Sequence, residues 1–195
     1  TIDNDMAGTD CTIGFDTACN TALQCMEKLR DTASSHDRLF IVEVMGRSSG
    51  FIALESAVAA GAEYVLVPEQ PFELDKLCAK LQYSRARGKS HSLVVVAEGV
   101  MSAAELAAQL QNASAYSARI VVLGHMQRGG SPSSFDAVLA SRLGGGAVDA
   151  LIRGERGVMV GRVCGRIETS PLATAWEIKK NLDSDMMELM ETLGI

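Results

Sequence analysis

Short β-branched runs alternate along this chain with longer segments of helical spacing. Residues 92–97 read Ser-Leu-Val-Val-Val-Ala and show no polar face. A strand that is apolar on both faces has to be covered on both faces, as in a parallel sheet packed between helices. Residues 39–44, 64–67, 119–123 and 157–163 read as further strands. Between them, residues 17–30, 51–60, 73–87, 102–111, 135–153 and 184–193 carry apolar residues at helical spacing. Gly61 is placed to end the second helix, and Ser102 with Glu105 forms a capping box at the fourth. Ser184 is expected to cap the last. Gly144-Gly145-Gly146 is a weak point inside the long fifth helix. The fold class is α/β, a doubly wound three-layer domain with a parallel sheet.

The rest of the composition narrows the function. At 195 residues the chain makes one large domain or two small ones. Its 47% hydrophobic residues and net charge of −6 exclude a disordered chain and argue against a nucleic-acid surface. No apolar run approaches the ~18 residues of a membrane helix. The five cysteines, Cys11, Cys19, Cys25, Cys78 and Cys164, form no Cys-x-x-Cys pair. They read as buried, reduced thiols, which fits a cytoplasmic protein. No signal peptide is visible, and the chain opens on Thr1-Ile2-Asp3-Asn4-Asp5 without a Met. That opening suggests a chain whose first part is missing.

Ligands of doubly wound sheets bind beyond the carboxyl ends of the strands. After residues 39–44 comes Met45-Gly46-Arg47-Ser48-Ser49-Gly50. Its glycines allow a tight turn, Ser48 or Ser49 can cap the next helix, and Arg47 can reach a phosphate. An ordinary strand-to-helix turn is an equal reading. After residues 119–123 comes Gly124-His125-Met126-Gln127-Arg128-Gly129-Gly130-Ser131-Pro132. His125 beside Arg128 suits a phosphate, and Pro132 can open the following helix. Glu98 ends the central strand, where it either accepts sugar hydroxyls or pairs with a neighbouring arginine. Asp3 and Asp5 would face one side of an extended segment, one taking a proton and the other holding a metal. Taken alone, a polar Asp/Asn turn is the better reading of them. No Walker A, His-Glu-x-x-His or Gly-x-Ser-x-Gly sequence occurs.

Taken in order, TIDND, VMGRSSG and LGHMQRGGSP resemble the glycolytic phosphofructokinases of bacteria. The resemblance extends over essentially the whole chain and corresponds to the carboxyl-terminal part of that family's chain. It implies transfer of the γ-phosphoryl of ATP, with Mg²⁺, to the 1-hydroxyl of fructose 6-phosphate. It makes Asp3 the base, sets Thr1 beside the transferred phosphoryl and Asp5 near the metal, and gives Arg47 the charge on the phosphoryl in flight. Met45, Gly46 and Glu98 would line the sugar. His125 and Arg128 would hold the 6-phosphate, and Arg38 and Arg119 would reach a neighbouring subunit's site in a homotetramer. Arg30, Glu63, Arg87, Lys89 and His91 match an allosteric site for a nucleotide diphosphate or phosphoenolpyruvate; a solvated turn is the alternative there. Residues 15–126 with 178–195 would form the sugar-phosphate domain. Residues 1–14 and 127–177 would be a remnant of the nucleotide domain. The family's Gly-rich nucleotide loop precedes TIDND, so these residues alone are expected to be inactive. A pyrophosphate-dependent relative and a non-catalytic module binding a sugar phosphate or effector are the two alternatives.

Overall fold

Residues 1–33, 38–89, 91–114 and 116–193 are described by a computed structural model. The chain order is α1 (Phe15–Ala33), β1 (Arg38–Val44), α2 (Phe51–Ala60), β2 (Tyr64–Leu66), α3 (Leu74–Ala86), β3 (His91–Ala97), α4 (Ala103–Ser114) and β4 (Ala118–Val122). A 3-10 turn (Gly124–Arg128) leads to α5 (Ser134–Ile152), β5 (Val158–Val163), β6 (Arg166–Pro171), α6 (Thr174–Glu177) and α7 (Ser184–Leu193).

Side chains of successive strand residues leave on opposite faces, and both faces of β1 and β3 are apolar. Phe40, Val42, Val44, Leu93, Val95 and Ala97 pack with α1, α2 and α7. Leu39, Ile41, Val94 and Val96 pack with α3 and α4. Each such side chain, fully buried, contributes about 1.5–3 kcal/mol, so both outer layers are held by the sheet between them. The strand order is β2-β3-β1-β4, and every pairing is parallel. This is the three-layer doubly wound arrangement the sequence predicts. One strand departs from it: β4 lies at the sheet edge, where Ile120 is 44% and Val122 57% exposed.

The expected strand at 157–163 does not join this sheet. As β5 it pairs antiparallel with β6 in a separate hairpin against α5. The hairpin turn needs positive φ at two residues, supplied by Cys164 (48°) and Gly165 (80°). The helix α5 runs unbroken through Gly144–Gly146. A Cβ on Gly146 would lie 2.4 Å from Ile167, so glycine here lets helix and hairpin approach.

The helix ends are capped by side chains and glycines close to the positions expected. Gly61 takes the left-handed conformation (φ 60°) expected of a terminator. Ser102 and Glu105 form the reciprocal capping box, and Glu43 from β1 also accepts from Ala103 N at 2.7 Å. Elsewhere the cap is a neighbour of the residue expected. Pro132 precedes rather than opens α5, which starts at Ser134 with Ser133 as its cap. Asp183 rather than Ser184 caps α7, accepting from Asp185 and Met186. Neither Ser48 nor Ser49 caps α2; its N-cap is Gly50, whose amide donates to Glu69.

The five thiols are free, but only Cys19 is buried, and Cys164 is exposed in the hairpin turn. Burial raises the Cys11 thiol to about 11 and pushes Cys19 up further, so both stay protonated at neutral pH. Among the described residues no helix is long and apolar enough to cross a membrane.

Candidate active site

The carboxyl ends of β3, β1 and β4 are adjacent, so the loops that follow them share one rim of the sheet. Hydrogen bonds then lock these loops to each other and to residues 1–5. Glu98 accepts from the backbone amides of Gly46 (3.3 Å) and Arg47 (2.9 Å). It thus pairs with the neighbouring arginine through that residue's backbone amide rather than its guanidinium. Gly99 lies so close to the carbonyl of Arg47 that a Cβ there would come within 2.0 Å of the oxygen. Met45 N donates to Oε1 of Gln127 at 2.8 Å. Gln127 is 1% exposed and ties β1 to the 3-10 turn. It fixes the turn from inside while His125 and Arg128 face solvent.

Residues 1–5 fold over this rim. Asp3 is 8% exposed, and its Oδ2 accepts from Thr1 Oγ1 at 2.8 Å. Ser49 Oγ donates to the carbonyl of Asp3 (3.3 Å) and of Gly46 (2.9 Å), joining the Asp3 segment to the Arg47 loop. The segment is not extended, as the sequence reading assumed. Asn4 is left-handed, with φ 57°, so Asp3 and Asp5 do not share a face by simple alternation. Arg47 is also left-handed (φ 52°) and exposed. A non-glycine residue held there beside a rim of polar loops marks a constrained loop.

Asp5 is half-buried and accepts no hydrogen bond among the described residues. Those residues hold no cluster of three metal-ligating side chains. One open carboxylate still fits Mg²⁺, which keeps water and phosphate oxygens for most of its shell.

Three residues that sequence reasoning passed over hold the site together. Besides Gln127, Asp136 is 1% exposed and accepts from Gly14 N (2.8 Å), Thr17 N (2.8 Å) and Thr17 Oγ1 (2.5 Å). It fastens the start of α1 to the start of α5, just beyond the His125–Arg128 turn. Lys180 donates to Asn4 Oδ1 at 3.1 Å. An amide between two candidate residues, an Asp one helical turn into α5 and a surface-like lysine carry no sequence signal of these contacts.

Arg119 lies on the exposed edge strand β4. Arg38 opens β1, and its side chain lies outside the described residues. Three of the remaining candidates lie at the α2–β2 turn. Arg30 reaches the carbonyl of Ala60. Glu63, 5% exposed, accepts from Lys89 Nζ (3.4 Å) and from Leu93 N (2.5 Å). Arg30, Glu63 and Lys89 thus meet around one turn. Arg87 folds back on Tyr83, 5.7 Å from the ring centre. His91 opens β3.

The sheet is that of a doubly wound α/β domain, and at the strand ends where ligands of such sheets bind it carries a polar, arginine-bearing rim beside the buried Asp3 carboxylate and the exposed Thr1 bonded to it. The model of the phosphofructokinase family matches residues 1–151, and the chain belongs to that family. It is 52% identical over all its residues to the ATP-dependent 6-phosphofructokinase of Listeria welshimeri and 50% identical to ATP-dependent 6-phosphofructokinase 1 of Thermus thermophilus. It spans 61% of the length of each of these curated relatives. Among solved structures, Pichia pastoris phosphofructokinase in the T-state superposes on the whole chain with a TM-score of 0.84 at 33% identity, over 23% of its own length. A pyrophosphate-dependent phosphofructokinase from Marinobacter aquaeolei, at 24% identity and a TM-score of 0.80 over 99% of this chain and 58% of its own, shares the fold.

Proposed function

We propose that the protein containing this chain transfers the γ-phosphoryl of ATP to the 1-hydroxyl of fructose 6-phosphate, the committing phosphorylation of glycolysis. One observation carries the proposal. The loops of Arg47, Glu98 and His125–Arg128 are hydrogen-bonded into one rim, and the buried Asp3, which accepts from Thr1, is bonded to it through Ser49. Asp3 takes the proton of the 1-hydroxyl as that oxygen attacks phosphorus. Arg47 balances the charge on the phosphoryl group in transit, and Thr1 lies beside it. Mg²⁺, held by Asp5 together with phosphate oxygens, would offset charge on the donor. Met45, Gly46 and Glu98 border the sugar. His125 and Arg128 take the 6-phosphate from within the subunit.

The finer assignments belong to the same proposal. Residues 15–126 with 178–195 form the sugar-phosphate domain, and 1–14 with 127–177 belong to the nucleotide domain. The turn of Arg30, Glu63 and Lys89, with Arg87 and His91, takes a nucleotide diphosphate or phosphoenolpyruvate as allosteric effector. The protein acts in the cytoplasm as a homotetramer.

The donor is settled by assay. The complete gene product is expected to form fructose 1,6-bisphosphate from ATP and not from pyrophosphate, followed by coupling to aldolase. Turnover with pyrophosphate alone would transfer the proposal to that donor. Absence of turnover with either, alongside tight fructose 6-phosphate binding, would leave only the binding-module alternative.

Assembly gives a second test. Arg38 and Arg119 are assigned to a neighbouring subunit's sugar phosphate. Asp3→Asn and Arg119→Ser variants, each inactive alone, should therefore regain part of their activity when mixed into hybrid oligomers. Hybrids verified by mass spectrometry that remain inactive would count against a shared site.

A further inference from the structure

Residues 178–183 cross from the α5–hairpin unit back to the three-layer unit, and Lys180 lies in the middle of this crossing. Its ammonium donates to Asn4 Oδ1 (3.1 Å) and to the carbonyl of Asp10 (2.8 Å). It also sits 5.3 Å from the centre of the Phe51 ring, in reach of a cation–π contact. Asn4 separates Asp3 from Asp5, and its Oδ1 accepts a second bond from Thr12 N at 3.0 Å. Phe51 is the first residue of α2, directly after the Arg47–Gly50 loop. One cation therefore touches both the segment bearing the carboxylates and the helix that follows the arginine loop. The backbone beside it is fixed as well, since Lys179 forms an antiparallel bridge with Met6.

The side chain is half-buried, and burial lowers its pKa. The described residues place no carboxylate within salt-bridge distance of it; Asp5 and Asp10 act on it from farther away. A half-buried ammonium satisfied only by carbonyl-type oxygens and an aromatic face costs desolvation with little ionic return. What it does supply is geometry. It holds the Asn4 amide, in a left-handed backbone, against the start of α2.

We propose that Lys180 is a positioning residue for phosphoryl transfer, holding the Asp3–Asp5 segment in register with the Arg47 loop through Asn4 and Phe51. This rests on the assignment of Asp3 as the base. Displacement of a reacting group by about 1 Å can cost on the order of 10²-fold in rate.

The test uses the complete gene product. Lys180→Met keeps the stem against Phe51 and removes the donors. It is expected to lower kcat by about 10- to 100-fold, with KM for fructose 6-phosphate changed less than about threefold. Lys180→Arg, which keeps the charge and the donors, should recover most of the loss. Asn4→Gly keeps the left-handed backbone and removes the acceptor. It should reproduce the kcat loss, and the double variant should be no worse than either single one. A folded Lys180→Met enzyme with kcat within threefold of wild type overturns the proposal. So do additive losses in the double variant, or failure of arginine to rescue. If Lys180→Met does not fold, the Lys180→Arg and Asn4→Gly enzymes decide it alone. Asp3→Asn is assayed in parallel. Full turnover in that variant refutes the base assignment itself, whereas loss there with none in Lys180→Met refutes only the role of the lysine.

Discussion

Asp3→Asn is expected to lower kcat of the complete gene product by about 10²–10⁴-fold while fructose 6-phosphate still binds. The carboxamide has the size of the carboxylate, and it can still accept from Thr1 Oγ1, now 2.8 Å away. Its backbone carbonyl keeps the bond from Ser49, so the join to the Arg47 loop survives. What disappears is the ability to take a proton from the attacking hydroxyl. Groups that act only in the transition state lower kcat and kcat/KM together when removed, and leave substrate binding alone. Steady-state kinetics at saturating ATP separates the cases. A variant with nearly normal kcat and a large rise in KM would show Asp3 to be a sugar ligand rather than the base.

The candidacy of Asp3 shows what a sequence does and does not carry. The sheet was legible because burial on both faces leaves a mark: residues 92–97 are apolar at every position but the first. β6 left none. Arg-Ile-Glu-Thr-Ser-Pro is mostly polar, and its pairing is dictated by the positive-φ turn at Cys164–Gly165 rather than by an apolar face. The loops at the strand ends were legible from glycine and arginine. Their mutual bonding was not, because contacts such as Gln127 to Met45 or Glu98 to Gly46 link residues 82 and 52 positions apart. The same holds for Asp136, whose partners lie about 120 residues away. Without the three-motif resemblance, Asp3 reads as one acid in a polar turn. Its burial and its bond to Thr1 exist only once residues 1–5 fold against Ser49. Sequence thus gave the chemistry of the loops, and the fold gave their connection.

The 195 residues expressed by themselves are expected to show no ATP-dependent turnover. Phosphoryl transfer depends on holding donor and acceptor in line, and loss of one positioning half removes most of the rate advantage. The relatives are longer than this chain by more than a third of their length, and the resemblance implies a Gly-rich nucleotide loop ahead of the TIDND segment. The half proposed to hold the sugar phosphate should nevertheless fold, since its four-stranded sheet is covered on both faces within the chain. The α5–hairpin unit is different. Val138, Val148, Leu151 and Ile152 on α5 are 55–79% exposed, and Trp176 is 68% exposed. An apolar face of this kind drives self-association in water. Calorimetry should therefore find weak fructose 6-phosphate binding at best, carried by Arg128 and His125, and sedimentation should find association that grows with concentration. The decisive measurement is a coupled kinase assay on material shown by mass to contain only these 195 residues. Sustained ATP-dependent turnover there would mean that the donor site is built from residues assigned here to scaffold, and the division into sugar-phosphate and nucleotide halves would fall with it.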